Sequence, residues 1–331
     1  MAEKRRIGAS SLEIAPLALG GNVFGWTADE ATSFRLLDAF VDAGGNMIDT
    51  ADVYSAWAPG HKGGESEEVI GRWLKRDPAK RDKVVIATKV GFLDGHIEPV
   101  TYDGNVTSGE YVASLDPQVI ARGADASLRR MGIETIDLYY QHRDNPEVPL
   151  ADSLAAFEAL REAGKIRATG LSNFSAERVE EALDCATRTG IVPAVAVQGW
   201  YNLLERERYE VQMQRVVTAR DLGFFSYYSL ANGFLAGKYR SHDDLAKSVR
   251  GMRNIAYLEG RGPKVLAALE AVAAETGAAL ASIALAWTMA QPGVTAPIAS
   301  ATSEAQLREM IAALTLDLTA GQVEQLNEAS G

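Results

Sequence analysis

The stretch NMIDTADVY (46–54) runs Met47 and Ile48 straight into two carboxylates, Asp49 and Asp52, with Thr50 between them and the phenol of Tyr54 close behind. Taken alone, it describes a strand that leaves the core and meets solvent, with Asp supplying ordinary turn chemistry. It equally describes a catalytic acid with a charge partner, held where a buried strand exits. The fold follows from asking how often such a strand recurs. β-rich apolar runs stand at 14–21 (IAPLALGG), 46–52, 84–91 (VVIATKVG), 135–142 (TIDLYYQH), 166–173 (IRATGLSN), 194–202 (AVAVQGWYN), 224–230 (FFSYYSL) and 295–301 (TAPIASA). Between them lie amphipathic stretches of helical length, among them 29–44, 65–76, 150–165, 176–190 and 262–277, several closing on Gly, a common helix stop.

Strand–helix alternation predicts right-handed βαβ units and a parallel sheet. Eight units in one domain spanning 1–331 fit a closed (β/α)8 TIM barrel better than an open doubly wound sheet. RRIGASSLEI (5–14) reads as a hairpin capping the bottom of the barrel, and GQVEQLNEASG (321–331) as a final helix. Long connections, at roughly 92–116 and 239–260, follow the third and seventh strands. Connections longer than about 15 residues are usually lids or binding loops, and both leave on the face where barrel sites form.

Composition narrows the class. Apolar residues make up 47% and charged residues 23% of 331, ordinary values for a soluble globular protein. A formal charge of −11 at pH 7 argues against nucleic acid or an anionic membrane as partner. Any anion site must therefore be a local positive patch. The single Cys185 excludes an intrachain disulfide and fits a reducing, cytoplasmic location. The N-terminal segment has no apolar run of signal-peptide length. GAALASIALAWTMA (277–290) is too short to span a bilayer and reads as a buried helix.

With the strands placed, their ends can be compared. The second run ends in Asp49 and leads to Tyr54; the third carries Lys89; the fourth ends in His142. Ser172 and Asn173 end the fifth, while Gln198 and Tyr227 lie on the sixth and seventh. Singly, Lys89 is as readily a solvated charge, and His142 a hydrogen-bonded core histidine. A barrel brings all eight ends to one rim, so an ammonium, a carboxylate, a phenol and an imidazole face a common cavity. The ordinary tyrosine pKa, about 10, is too high for an effective proton donor near neutrality. An adjacent Lys89 ammonium is expected to lower it, with Asp49 keeping Lys89 charged and oriented. His142 would hydrogen-bond a carbonyl oxygen. The missing nucleophile is a hydride from a nicotinamide cofactor.

At these residues the sequence resembles the aldo-keto reductase superfamily. NMIDTADVY, ATKVG, DLYYQH, ATGLSNF, VQGWYNLLER and SYYSLANGFLAGKY occur in that family's order, and the likeness runs from LGGNVFG to PIASATSEAQL. The resemblance implies a (β/α)8 barrel that reduces a small-molecule aldehyde or ketone with NAD(P)H and no metal. It implies a tetrad of Asp49, Tyr54, Lys89 and His142, with Tyr54 as proton donor. Ser172, Asn173 and Gln198 are implied as holders of the nicotinamide carboxamide, with Tyr227 stacked on the ring; a flat phenol there would fix which face meets substrate. Backbone near Leu230 and Asn232 is expected to line the pyrophosphate. Ser300, Thr302 and Gln306 fall where the adenosine 2′-phosphate is usually gripped, beside a helix starting near Ser303. Many members place Lys or Arg there, and a phosphate without a cation is held less well. NADP(H) is thus the preferred cofactor and NAD(H) the alternative. YYSL (227–230) replaces a frequent Ser-Pro pair and implies a local backbone adjustment. Trp26 and Trp57 are candidates for the substrate pocket.

Other signals fail. LGGNVFG has its glycines at the wrong spacing for a Rossmann loop, and GFLAGKY is a residue short of a P-loop. The four histidines show no metal-ligand spacing. Two rival readings stand beside the reductase. One is a barrel lyase in which Lys89 forms a Schiff base. The other is a redox-sensing module that holds the cofactor with little turnover, as in potassium-channel β subunits.

Overall fold

The computed structural model describes residues 3–102 and 105–331. Its strands are β1 (Arg5–Arg6), β2 (Glu13–Ile14), β3 (Ala18–Gly20), β4 (Met47–Asp49), β5 (Val85–Val90), β6 (Phe92–Tyr102), β7 (Asn105–Ala113), β8 (Ile136–Gln141), β9 (Ile166–Ser172), β10 (Ala196–Trp200), β11 (Gly223–Tyr227) and β12 (Val294–Ala299). β3, β4, β5, β8, β9, β10, β11 and β12 follow one another around a closed barrel, each pair parallel. All eight expected runs supply a barrel strand, and the architecture is that of a (β/α)8 barrel. Helices include Glu30–Asp42, Glu65–Arg76, Pro117–Met131, Leu150–Glu162, Ala176–Thr189, Gly262–Thr276, Leu280–Met289, Glu304–Ala312 and Ala320–Ser330. Gly190 and Gly277 end two of them at φ of 72° and 70°, a left-handed conformation that only glycine adopts at little cost.

One connection differs from its expectation. Instead of a plain long loop after β5, β6 and β7 pair antiparallel. The sequence there holds Ile97, Val100, Thr101, Val106, Tyr111 and Val112, a composition that favours strands.

Successive strand residues point to opposite faces, and one alternating set fills the lumen. Ala18, Met47, Ala87, Leu138, Ala168, Ala196, Phe225 and Ala296 form a buried layer, closed from below by Ile7, Leu12 and Ile14 of the N-terminal hairpin. Two residues further along each strand, the same alternation sends Asp49, Lys89, Tyr140 and Gln198 inward above that layer. Gly170 makes room there: a Cβ would meet the Tyr140 ring at 2.4 Å.

The bottom of the barrel is tied by charge. Arg5 donates to the carbonyls of Met289 and Val294 at 3.0 and 2.8 Å. Asp137, 1% exposed on β8, accepts from the Ile86 amide at 2.8 Å and pairs with Arg81 and Arg167 at 2.8 and 3.2 Å. Asn46 bridges the hairpin to β4, accepting from the Ala15 amide and donating to the Glu13 carbonyl. Among the described residues no single helix is long and apolar enough to cross a membrane, and the apolar Leu280–Met289 helix is buried against the barrel.

Candidate active site

Asp49 is the last residue of β4 and Lys89 the fifth of β5, on adjacent strands in register at Asp49 and Ala87. Both side chains are shut from solvent, at 1% and 0% exposure. Lys89 Nζ donates to Asp49 Oδ2 at 2.7 Å, to the Thr50 carbonyl at 2.8 Å and to Tyr54 Oη at 3.1 Å, which occupies all three of its N–H groups. The second Asp49 oxygen accepts from Gln198 Nε2 at 2.8 Å. Tyr54 is half-buried, in the turn that follows β4, and the next residue, Ser55, takes φ of 75°. Its ring lies 4.8 Å under the ammonium.

His142 follows β8 directly. Its ring stands edge-on to Phe92 at 5.0 Å and to Tyr54 at 6.1 Å, and its Nδ1 is buried with no hydrogen-bond partner among the described residues. Burial, then the charges of Lys89 and Arg143, hold the imidazole well below its ordinary pKa and therefore neutral. Burial also lowers Lys89, with Asp49 opposing.

The expected acidification of Tyr54 is not what this geometry gives. Burial, and then the Asp49 carboxylate, push the phenol well above its ordinary pKa. Lys89 is compensated by Asp49, so the pair presents little net positive charge to a phenolate.

The other singled-out residues fall into four groups. Asn173, at φ of 58°, donates through Nδ2 to the His142 carbonyl at 2.9 Å and to Ser172 Oγ at 3.1 Å, and accepts from Tyr227 Oη at 2.6 Å. The Asn173 amide donates to the Gln198 carbonyl at 3.2 Å, so Ser172, Asn173 and Tyr227 are joined to the Asp49–Lys89 pair through Gln198, whose side chain bonds Asp49. After β11 the chain turns through left-handed φ at Tyr228, Ala231 and Asn232, beside Leu230. Asn232 Oδ1 is buried there with no partner among the described residues. Ser229, in the expected Ser-Pro region, donates through Oγ to the Ser226 carbonyl at 2.9 Å.

At the end of β12, Ser300 donates to Asn22 Oδ1 at 2.6 Å, whereas Thr302 and Gln306 bond each other. Arg308, 72% exposed, faces Glu304 at 4.0 Å and joins neither contact.

Trp26 and Trp57 pack edge to face at 5.6 Å, and Trp57 lies 5.9 Å from Tyr54, forming an aromatic wall that begins at the phenol. Sequence reasoning missed what covers this wall. Arg250, from the 239–260 connection, sits 5.2 Å over the Trp26 ring without a carboxylate partner among the described residues. One Arg among three in the 239–260 connection carries no periodic signal, so only the folded chain shows where it goes.

This constellation on a parallel barrel defines a class, and comparison with known proteins gives the family. The chain belongs to the aldo/keto reductase family, whose model matches residues 16–330. It is 33% identical over 326 residues to the uncharacterized oxidoreductase YrpG of Bacillus subtilis, covering 97% of this chain and 94% of that protein. The aldo-keto reductase yakc [NADP(+)] of Schizosaccharomyces pombe is 31% identical over 315 residues, 93% of this chain and 84% of that one. A probable voltage-gated potassium channel subunit beta of Oryza sativa is 29% identical over 316 residues, 94% and 90%.

Proposed function

We propose that the protein reduces a small aldehyde or ketone to an alcohol with NADPH, Tyr54 donating the proton. The observation that carries this reading is the 3.1 Å contact of Lys89 Nζ with Tyr54 Oη, the ammonium's other two donors being fixed on Asp49 and the Thr50 carbonyl. Lys89 already donates to the phenolic oxygen, and the hydroxyl's own bond, to Asp49 Oδ2, is long at 3.5 Å, so its proton is readily turned to a carbonyl oxygen on the open side of the site. Tyr54 stays protonated in the resting site. As its proton leaves, the oxygen gains charge directly opposite a preorganised N–H donor, which strengthens when it is needed. The neutral His142 offers a second donor to the same carbonyl oxygen. The nicotinamide supplies the hydride when bound.

The residues fit such a group. Ser172, Asn173 and Gln198 offer amide and hydroxyl partners at the rim. The Tyr227 phenol is tethered through Asn173, which holds the ring in one orientation for stacking. The turn through left-handed φ at Tyr228, Ala231 and Asn232 is proposed to line the pyrophosphate with backbone, and Arg250 supplies a local positive charge on a molecule of net charge −11. For the 2′-phosphate, Ser300, Thr302 and Gln306 offer hydroxyl and amide groups only. Adding a cation should therefore sharpen the cofactor choice. Thr302→Arg, at an exposed position, is expected to lower the KM for NADPH about tenfold while leaving that for NADH unchanged, the worth of one charge-assisted contact. Equal changes for both cofactors would place the 2′-phosphate elsewhere.

The decisive test is loss of NADPH or NADH absorbance across a panel of aldehydes, ketones and keto-sugars. Steady turnover on any member supports the reductase. Tight cofactor binding with negligible turnover on all of them would favour the module reading, which the potassium channel relative keeps in view. A lyase role for Lys89 is less well supported, since its nitrogen must first give up three hydrogen bonds; borohydride trapping of Lys89 with a carbonyl compound would revive it.

A further inference from the structure

Behind the Asp49–Lys89 pair lies a second layer of charge that the proposed reduction does not use. Glu67, fully buried on the Glu65–Arg76 helix, accepts from Arg130 Nε at 2.6 Å and from Thr88 Oγ1 at 2.6 Å. Thr88 precedes Lys89 on β5. Asp52, two residues before Tyr54 and half-buried as a residue, bonds through its backbone amide to the Lys89 carbonyl at 3.2 Å, and one of its carboxyl oxygens, Oδ1, is buried with no partner among the described residues. The groups facing Asp52 are Glu67, Arg130 from the Pro117–Met131 helix, Lys89 from β5 and Tyr139 from β8, with Asp49 beyond Lys89. The Tyr139 hydroxyl is likewise buried and unpartnered among the described residues.

Counting charge decides how this cluster behaves. Two cations, Lys89 and Arg130, are matched by two carboxylates in direct contact, Asp49 and Glu67. Asp52 is the third carboxyl, and among the described residues no cation pairs with it. A buried carboxylate without a partner is costly, and protonation is the usual escape.

We propose that Asp52 is a positioning residue that keeps the surplus proton of this buried cluster at neutral pH, and that its ionisation restrains proton release from Tyr54. The proposal rests on the reductase reading for its second half only. Burial, then the Glu67 carboxylate, push Asp52 up to about 8, with Arg130 and Lys89 pulling the other way. With Asp52 neutral, the five groups sum to zero. With Asp52 ionised, a net negative charge appears beside Tyr54, and a developing phenolate is disfavoured.

Reduction by the wild type should therefore fall about tenfold as pH rises from 7 to 9. Asp52→Asn, an uncharged isostere of the protonated acid, should lack this fall and overtake the wild type at pH 9. Glu67→Gln should move the fall to lower pH, because it removes the like charge and frees Arg130. Stability gives a readout that a purely structural role would not move. Between the unfolded pKa of Asp, about 3.9, and the folded value near 8, the folded state binds the extra proton, so stability declines as pH rises. The stability of the wild type relative to Asp52→Asn should decline across that window and level off above it.

The deciding experiment is NMR of the full chain labelled with [13C]aspartate, with and without Asp52→Asn. One carboxyl titrating near pH 8 and missing from the variant supports the proposal. Titration of every Asp below about pH 6, or an alkaline fall that persists in the variant, overturns it. If the carboxyl signal is found but neither protein turns over any carbonyl, the proton stays assigned to Asp52 and the reductase reading fails instead.

Discussion

Tyr54→Phe should lower kcat by about 10²- to 10⁴-fold, the usual contribution of a positioned general acid, with the Kd for NADPH barely changed. The substitution removes only the hydroxyl. The ring keeps its place under Lys89 Nζ and against Trp57, and Lys89 keeps its bonds to Asp49 and the Thr50 carbonyl. Folding should change little, because the lost contact is one Lys89 donor facing a half-buried position. Single-turnover measurement of NADPH oxidation separates this from a binding effect, and near-normal rates would remove Tyr54 from the chemistry. The same geometry fixes the acid side of the pH profile. Burial and Lys89 hold His142 well below the ordinary imidazole range, so no loss of rate is expected between pH 7 and pH 6. A limb centred near 6.5 would mean a charged, solvated imidazole and a site more open than described.

Lys89→Met should abolish measurable reduction and also cost about 3–5 kcal/mol of stability, the range for removing one partner of a buried ion pair. Both partners are shut from solvent. With the ammonium gone, Asp49 retains the Gln198 amide and must otherwise carry its charge in a dry lumen. The Asp49→Asn, Lys89→Met double variant should recover much of the stability, because no unpaired charge remains, and none of the turnover. Chemical denaturation paired with turnover assays distinguishes the two effects. Recovery of both would mean the pair serves folding alone.

Much of this architecture was legible in the chain. The eight runs each became a barrel strand because β-branched, aromatic and other apolar residues cluster in short segments between stretches of helical length. The helix Glu65–Arg76 was delimited by Gly64 before it and Asp77-Pro78 after it. Alternation within NMIDTADVY was enough to send Met47 and Asp49 the same way. The β6–β7 pair was not read, since its strand-forming residues are interrupted by Asp94, Gly95, Glu98, Pro99, Gly109 and Glu110, which leaves no sustained apolar run. Nor was the direction of the Tyr54 shift. A carboxylate, an ammonium and a phenol suggest an acidified phenol, but the sign depends on burial and on how far Asp49 offsets the ammonium. The cluster of Asp52, Glu67 and Arg130 draws on three separate segments, and the cover of Trp26 by Arg250 joins the first barrel loop to the seventh. No local pattern encodes contacts of that separation.

The arginine clamps on Asp137 and the Arg5 ties at the foot of β12 have a consequence for how this protein can change. They anchor the frame at the end opposite the rim, using groups that no rim segment supplies. Connections such as 239–260 can then be exchanged for those of relatives, altering substrate range, without asking the scaffold to fold anew. Chimeras of this kind should retain their melting temperature even when their preferred substrates diverge.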